Sequence, residues 1–256
     1  CLPASRIIAR WVEKKPHTFS VGAASFTGIV AGPWLVLLMA AITQKWLGAG
    51  FEPMAVVSAL IIGYTLGEGV GRLACISFGC CYGRPVDQLP EIVKRYFSWG
   101  SFTYTGHTKK VAYAHRLDGS KIFAVQAMTV VLYTGSALIA TLLYLYGAYA
   151  WSFFLCLLVS QGWRFFSEFM RSDYRGDRKI SAYQMMSLMT IPYGLLMPFL
   201  FPSAGQGADV LDGLRSLWDP GVILFLQVIG IGMFLRTGRS QVTGAGIRFH
   251  VNRERT

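Results

Sequence analysis

The chain has 256 residues, of which 53% are hydrophobic and 14% are charged, and its mean hydropathy is +0.43. Soluble domains carry about 25% charged residues, so this composition excludes an ordinary soluble domain and indicates an integral membrane protein. The net charge of +11 fits basic segments beside membrane helices. We therefore expect the lipid bilayer, and no nucleic acid, as the partner of these charges.

Apolar stretches of about 20 residues, the length that crosses a bilayer, recur along the chain. They predict a single membrane domain over residues 1–256 with six spans, at about 19–43, 55–79, 122–146, 150–170, 181–201 and 220–236. The joint at 147–149 is so short that the third and fourth spans should form a tight hairpin. A basic tail follows at 237–256.

The longest polar segment, residues 84–121, mixes basic residues with aromatic ones such as Tyr96, Phe97 and Trp99. This mixture is typical of chain that lies at the lipid interface, where aromatic rings and basic side chains both find partners. The predicted fold class is therefore all-α: a polytopic integral membrane helix bundle with an interfacial arm between the second and third spans.

Six spans would place 20 of the 24 Lys and Arg residues on one side of the membrane and only Lys45 and Arg215 on the other. A missed or invented helix would scramble this division, so it supports the span count. By the positive-inside rule, the basic side would face the cytoplasm.

The two remaining basic residues, Arg72 and Arg164, lie inside the second and fourth predicted spans. Each stands four residues from a glutamate, Glu68 or Glu168, and this spacing puts each pair on one helical face. An ionisable group at membrane depth is costly, so such residues are rare and usually line a functional cavity. These four residues are the first candidates for a site.

The predicted directions of the spans bring other polar residues to the same depth, toward the basic side: Thr27, Gln126 and Gln184. Planar guanidinium donors suit phosphate oxygens, and carboxylates can orient them or handle protons. The layer therefore predicts a site for the headgroup of an anionic phospholipid, and nearby glycines, among them Gly83, permit a close backbone approach or a bend. In the alternative interpretation, the Glu–Arg pairs are ion pairs that lock the bundle.

Three cysteines, Cys75, Cys80 and Cys81, follow one another closely at the end of the second span. A metal site usually needs four ligands, and His107 or His115 in the following arm could supply the rest. A thiol nucleophile is a second interpretation, and small thiols packed between helices are a third.

Several motifs occur in a recognisable order, and the first two are residues 25–32 (SFTGIVAG) and 71–85 (GRLACISFGCCYGRP). Residues 71–85 resemble the signature region of the prolipoprotein diacylglyceryl transferase family, and residues 25–32 are similar to its Ser-Phe-His-Gly-Gly stretch. Gln126 resembles the Gln of its Pro-Thr-Gln motif. Residues 163–171 (WRFFSEFMR) and 184–188 (QMMSL) are similar to two later blocks. The resemblance covers residues from about 20 to 200 and leaves the last predicted span outside it.

The resemblance implies a multi-pass enzyme of the bacterial inner membrane that takes part in lipoprotein biosynthesis. Members of the family transfer the diacylglyceryl group of phosphatidylglycerol to the thiol of a prolipoprotein cysteine, forming a thioether and releasing glycerol phosphate. The resemblance implies that Arg72 and Arg164 bind the lipid phosphate with support from Glu168, and that these three are the catalytic residues. The expected substrate-binding residues are, in addition, Glu68, Gln126, Gln184, Thr27 and Gly83. We expect no metal and no organic cofactor.

Three departures distinguish this chain from the family pattern. The His of the first motif is Thr27 here, the signature Asn is Cys75, and the Glu that follows it aligns with Cys80. These changes indicate a divergent member, so an acceptor related to the prolipoprotein stays open.

The start at Cys1 without a Met leads us to expect that upstream membrane segments are missing. The resemblance also implies that the arm faces the periplasm, opposite to the charge rule. A non-catalytic transport or anionic-lipid-binding protein is the alternative function.

Overall fold

The computed structural model of the chain describes residues 2–13, 20–48, 50–89, 91, 94–95, 100–172, 180–201, 203, 205 and 207–237. Its helices are α1 Leu2–Glu13, α2 Val21–Leu47, α3 Pro53–Phe78, α4 Lys110–His115, α5 Val125–Leu145, α6 Tyr149–Phe169, α7 Ala182–Leu195, α8 Met197–Leu200, α9 Val210–Leu217 and α10 Pro220–Thr237. The described residues also form two strands of three residues each, β1 Ser101–Thr103 and β2 Lys121–Phe123. The predicted fold class is confirmed: the molecule is an all-α membrane helix bundle with an arm between the second and third long helices.

Helix α1 is an element that the sequence had suggested only as a basic flank. It packs against α2, and Ser5 fixes the junction, because its hydroxyl donates to the carbonyl of Ser20 at 2.9 Å and accepts from the amide of Ser20 at 3.3 Å. Apolar residues recur along one face of this short helix, and Ile7 and Trp11 are exposed. Residues 14–19, between α1 and Ser20, lie outside the described residues.

The bundle is centred on α3, which packs against α2, α5 and α6. The predicted hairpin is present: α5 ends at Leu145, the chain turns at Gly147 with a φ of +78°, and α6 begins at Tyr149. Helix α2 is fixed to α7 by Tyr193, whose hydroxyl donates to the carbonyl of Val30 at 2.6 Å and accepts from Trp34 Nε1 at 2.7 Å. These contacts hold α2 against α7, and α2 also packs on α3, where it forms one wall of the site described below.

Three of the described helices, α2, α3 and α5, are long and apolar enough to cross a membrane. A fourth qualifies if α9 and α10, which are bent by 67° relative to each other, form one span. Helix α6 has the length but carries Gln161, Arg164 and Glu168, and α7 has only 14 residues. The helices occupy the predicted spans to within a few residues, and the count of six crossings remains a prediction.

The fifth predicted span, 181–201, is divided into two helices. Helix α7 ends at Leu195, and α8 begins at Met197 with Pro198 in its first turn. Proline cannot donate a backbone hydrogen bond to the preceding turn, so a break is favoured at this point. Helix α9, before the last predicted span, is an amphipathic element that the hydropathy pattern did not predict.

The arm forms a small folded unit at the end of α3. Strands β1 and β2 pair antiparallel, with Phe102 opposite Ile122. Tyr82, Tyr104, Val111 and Ile122 form its buried apolar core. The predicted arm residues Tyr96, Phe97 and Trp99, like the basic tail from residue 238 onward, lie outside the described residues.

Candidate active site

Glu68 is the centre of a buried polar cluster between α3 and α6. Its Oε1 accepts from Arg72 Nη2 at 2.6 Å, and its Oε2 accepts from Arg164 Nη2 at 2.6 Å. The three side chains are only 6%, 13% and 11% exposed. The structure therefore brings both predicted arginines to one carboxylate. Arg164 reaches across from α6 to α3, a contact that the spacing within one helix had not suggested.

Tyr64 completes the cluster and is a residue that the sequence reasoning missed. Its hydroxyl donates to Glu68 Oε2 and accepts from Arg164 Nη2 at 2.7 Å. Tyr64 stands one helical turn before Glu68, so the two side chains share a face of α3. A tyrosine four residues before a membrane-depth glutamate is a signal that could have found it.

The three ionised groups of this cluster carry two positive charges and one negative charge. Both oxygens of Glu68 are occupied by guanidinium donors. Within the described part of the chain, the buried Nε atoms of Arg72 and Arg164 have no hydrogen-bond partner. A buried charge without full compensation is costly, and an unused buried donor adds to that cost. The cluster is therefore suited to receive one further anion.

A cavity of about 760 Å³ lies between α2 and α3 and ends at this cluster. At one end its wall carries polar side chains: Ser25, Thr27, Tyr64, Glu68 and Arg72. The rest of the wall is apolar: Ile29, Ala31, Pro33, Leu35, Val57, Leu60, Ile61 and Phe153. Arg164 is not part of this wall and contacts Glu68 from the side of α6. The arrangement suits an amphiphile with an anionic head and apolar chains.

Missing side chains create much of the room in this cavity. Gly63, Gly67 and Gly71 follow one another at intervals of four on α3 and face it, and Gly32 faces it from α2. A Cβ atom added at any of the four would meet no atom within 4 Å. These glycines are therefore not required for contact between helices, and we infer that they keep the cavity open.

Thr27 lies in the cavity wall, and its expected role in substrate binding stays a prediction. Its hydroxyl donates to the carbonyl of Ala23 at 2.9 Å, one turn back in α2. Glu168, by contrast, lies one turn beyond Arg164 on α6 and outside the residues that line the cavity. The catalytic role expected of Glu168 stays a prediction.

Gln126 joins the start of α5 to the turn after α3. Its Nε2 donates to the carbonyl of Cys80 at 2.9 Å and to the hydroxyl of Tyr104 at 3.2 Å. Burial raises the pKa of Tyr104 to about 12, so this hydroxyl is protonated and neutral. Gln126 therefore fixes the wall beside the cavity, and the contacts found for it are with protein atoms.

Gln184 and Gly83 also have positions with structural explanations. Gln184 forms a capping box with Ser181 at the start of α7, and its Nε2 donates to the carbonyl of Phe165 at 3.2 Å. Gly83 lies against β2, where an added Cβ would stand 2.5 Å from the carbonyl oxygen of Phe123. Neither lines the cavity, so lipid binding by these two residues remains a prediction.

The thiols of Cys75, Cys80 and Cys81 come together where α3 ends, and Cys75 also lines the cavity. His115, which the sequence offered as a further ligand, instead bonds through Nδ1 to the hydroxyl of Tyr82. The fourth described cysteine, Cys156, is fully buried in the core between helices.

Comparison with protein-family models finds one that matches most of the chain. The family model described as prolipoprotein diacylglyceryl transferase matches residues 7–200, from α1 to the end of α8. No curated protein and no solved structure gives a significant match. The match covers α2, α3 and α6, and so includes every residue of the Glu68 cluster.

Proposed function

The chain belongs to the prolipoprotein diacylglyceryl transferase family, a family of membrane transferases, and we propose that it moves a diacylglyceryl group from phosphatidylglycerol to the cysteine thiol of a prolipoprotein or a related acceptor. We further propose that it works in the bacterial inner membrane and crosses it with the six predicted spans. The observation that carries the donor assignment is the Arg72–Glu68–Arg164 cluster at the polar end of an apolar cavity.

Charge balance supports an anionic lipid as the donor. The cluster has one positive charge in excess, and the phosphodiester of phosphatidylglycerol carries one negative charge. A zwitterionic headgroup would bring an ammonium group to the same buried arginines, which is unfavourable. The charge of the site therefore selects for an anionic headgroup with no cation attached.

The shape of the cavity supports a lipid rather than a free phosphate compound. Its apolar wall runs along α2 from Ile29 to Leu35 and along α3 from Leu60 to Val57, away from the polar end. Acyl chains gain little by moving from the bilayer into an apolar protein site, because hydrocarbon already surrounds them. The site therefore needs only to keep the chains in apolar surroundings while it binds the headgroup. A cavity between two long helices lets the chains remain in an apolar environment while the headgroup reaches Arg72.

The proposed reaction is a substitution at the carbon of the acylated glycerol that bears the phosphate. The sulfur of the acceptor thiolate forms a bond to this carbon, and the carbon–oxygen bond to phosphate breaks. The electron pair leaves with glycerol phosphate, and the proton of the thiol goes to solvent or to the released phosphate. The phosphate changes from a diester with one charge to a monoester with up to two, so the negative charge grows along the reaction.

We assign the stabilisation of this growing charge to Arg72. It lines the cavity, one of its nitrogens holds Glu68, and its Nε has no protein partner within the described residues. Preorganised donors aimed at developing charge lower a barrier without reorganisation during the reaction. Arg164 and Tyr64 hold Glu68 from behind, so that the carboxylate positions Arg72 without cancelling both cations. In this scheme Glu168 and Thr27 support the site from its edges.

The function can be tested with doubly labelled phosphatidylglycerol and a peptide that contains the acceptor cysteine. The purified protein in lipid nanodiscs should transfer an acyl label to the peptide and release the headgroup label as glycerol phosphate in equal amounts. A Cys→Ser acceptor peptide and labelled phosphatidylcholine are the matched controls, and both should give no transfer. Release of the headgroup label without modification of the peptide would refute the proposed acceptor.

The alternative, a non-catalytic anionic-lipid-binding or transport protein, is favoured by one observation. The Glu68–Arg164 contact also joins α3 to α6, as a structural ion pair would. In the same assay this alternative predicts saturable binding of phosphatidylglycerol with both labels retained on the intact lipid. That outcome would reject the transferase while keeping the anion site.

A further inference from the structure

Three thiols gather at the point where α3 leaves the bundle. The Sγ atoms of Cys75, Cys80 and Cys81 all lie within 4.8 Å of one another, and all three residues are partly buried. No other His, Asp or Glu side chain of the described residues joins this group. Packing alone does not explain it, because thiols that only fill space have no reason to converge on one point.

The backbone between the cysteines is shaped to bring them together. Gly79 caps α3 in the left-handed conformation with a φ of +61°, and the amide of Cys80 donates to the carbonyl of Cys75 at 3.0 Å. Cys81 also has a positive φ, +54°, which among the described non-glycine residues is shared only by Arg116. Such a conformation is unfavourable for a residue with a side chain, so surrounding contacts must hold it.

Contacts from two other elements hold this turn. Gln126 from α5 donates to the carbonyl of Cys80 at 2.9 Å, and the amide of Val111 from the arm donates to the carbonyl of Gly79 at 3.0 Å. The ammonium of Lys109 donates to the carbonyl of Ser77. The three thiols are therefore preorganised by the fold, as ligands of a bound ion would be.

We propose that Cys75, Cys80 and Cys81 form a binding site for a thiophilic metal ion of the Zn²⁺ type. A Zn–S bond of 2.3 Å in tetrahedral geometry places sulfur atoms about 3.8 Å apart, so a small closure of the present cluster completes three coordination bonds. Soft thiolate ligands favour such ions over Mg²⁺ or Ca²⁺. Three protein ligands leave a fourth position for water or another exchangeable ligand, which is the arrangement of an open site.

The charge around the cluster suits three thiolates. Three thiolates and one Zn²⁺ carry a net charge of −1, and Arg171, a cation outside the Glu68 cluster, lies close enough to Cys81 to interact with its charge. The metal would lie at the wall of the lipid cavity, because Cys75 is part of that wall. The arginine-based chemistry proposed above does not require this ion, so the two proposals can fail separately.

Cobalt substitution tests the site directly. The reduced full-length protein in detergent is titrated with Co²⁺, whose bonds to thiolate give a characteristic near-ultraviolet charge-transfer absorption. We expect one Co²⁺ per chain and displacement by Zn²⁺. Loss of an outer-shell partner alone weakens metal binding about 10- to 100-fold, so Cys75→Ser, Cys80→Ser and Cys81→Ser should each weaken it at least tenfold. Cys156→Ser, at a cysteine outside the cluster, is the matched control and should bind normally.

Two further measurements keep the outcome decisive if a variant folds poorly. A chelator should lower the thermal unfolding temperature of the metal-loaded wild type but leave that of the triple Cys→Ser variant unchanged. Metal should also protect three thiols of the Cys156→Ser protein from alkylation. A reduced wild-type protein that gives no thiolate absorption, or an absorption that survives in the triple variant, would overturn the proposal. A disulfide found in the reduced, metal-treated sample would overturn it as well.

Discussion

The charge of Arg72 should contribute to catalysis far more than to folding. In Arg72→Ala, Glu68 keeps its contacts to Arg164 at 2.6 Å and to Tyr64, so the carboxylate remains compensated inside the bundle. The cavity, however, loses the guanidinium in its wall. We therefore expect a folded protein that binds and converts anionic lipid poorly.

The magnitude follows from the burial of the group. The Arg72 side chain is 13% exposed, so its interaction with a phosphate is weakly screened by solvent. Removal of one preorganised donor to a developing anion typically lowers kcat by about 100- to 1,000-fold, or about 2.7–4 kcal/mol. Arg72→Lys keeps the charge but not the planar pair of donors, so its rate should be intermediate.

The assay measures initial rates of acyl-label transfer from phosphatidylglycerol at saturating acceptor peptide, together with the thermal unfolding temperature of each variant. Arg215→Ala is the matched control, because Arg215 is an exposed arginine whose pairing with Asp212 spans a single helical turn. It should keep the wild-type rate. Transfer by Arg72→Ala within about threefold of the wild-type rate would refute this reasoning, because the reaction would then not depend on the positive charge of Arg72.

Three other predictions concern the same region. Arg164→Ala should lower the free energy of unfolding by about 3–5 kcal/mol because it removes a partner of the buried Glu68, and adding Glu68→Ala should recover part of this loss. Denaturant unfolding of both variants measures this, and additive losses of stability would contradict it. Gly67→Leu should fill the cavity and abolish transfer without unfolding the protein. Gly135→Leu is the control, at a glycine outside the cavity where an added Cβ also meets no atom, and it should retain transfer. Equal rates in the two variants would show that the cavity is not the lipid site. Gln126→Ala should cost about 1–3 kcal/mol of stability by leaving a backbone carbonyl unpartnered, and a melting temperature equal to that of wild type would contradict it.

Local patterns predicted the long apolar helices and the Glu68–Arg72 ion pair. Apolar stretches marked the long helices, and the spacing of four placed Glu68 beside Arg72, because both depend only on neighbours along one helix. The contact between Arg164 and Glu68 was not predicted. Such a contact depends on how two helices pack, and the spacing within a single helix contains no information about a neighbour.

Two residues show where readable signals were missed or misassigned. Ser181 and Gln184 have the spacing of a capping box, a structural role that is visible in the sequence and was missed there. Tyr64 stands four residues before Glu68, a spacing that could have marked it, and the fold shows that its hydroxyl donates to Glu68. The clustering of the cysteines needed the left-handed turn at Gly79, a backbone feature that the spacing alone does not determine.

The central claim is that Arg72 and Arg164, joined by Glu68, form the headgroup site of an anionic lipid. A cryo-electron microscopy map of the protein in nanodiscs with a non-hydrolysable phosphatidylglycerol analogue tests it most directly. We predict phosphate density within hydrogen-bond distance of Arg72, with acyl-chain density between α2 and α3 along Gly63 and Gly67. A phosphate bound away from this cluster, while the cavity between α2 and α3 holds only acyl chains or nothing, would contradict the account.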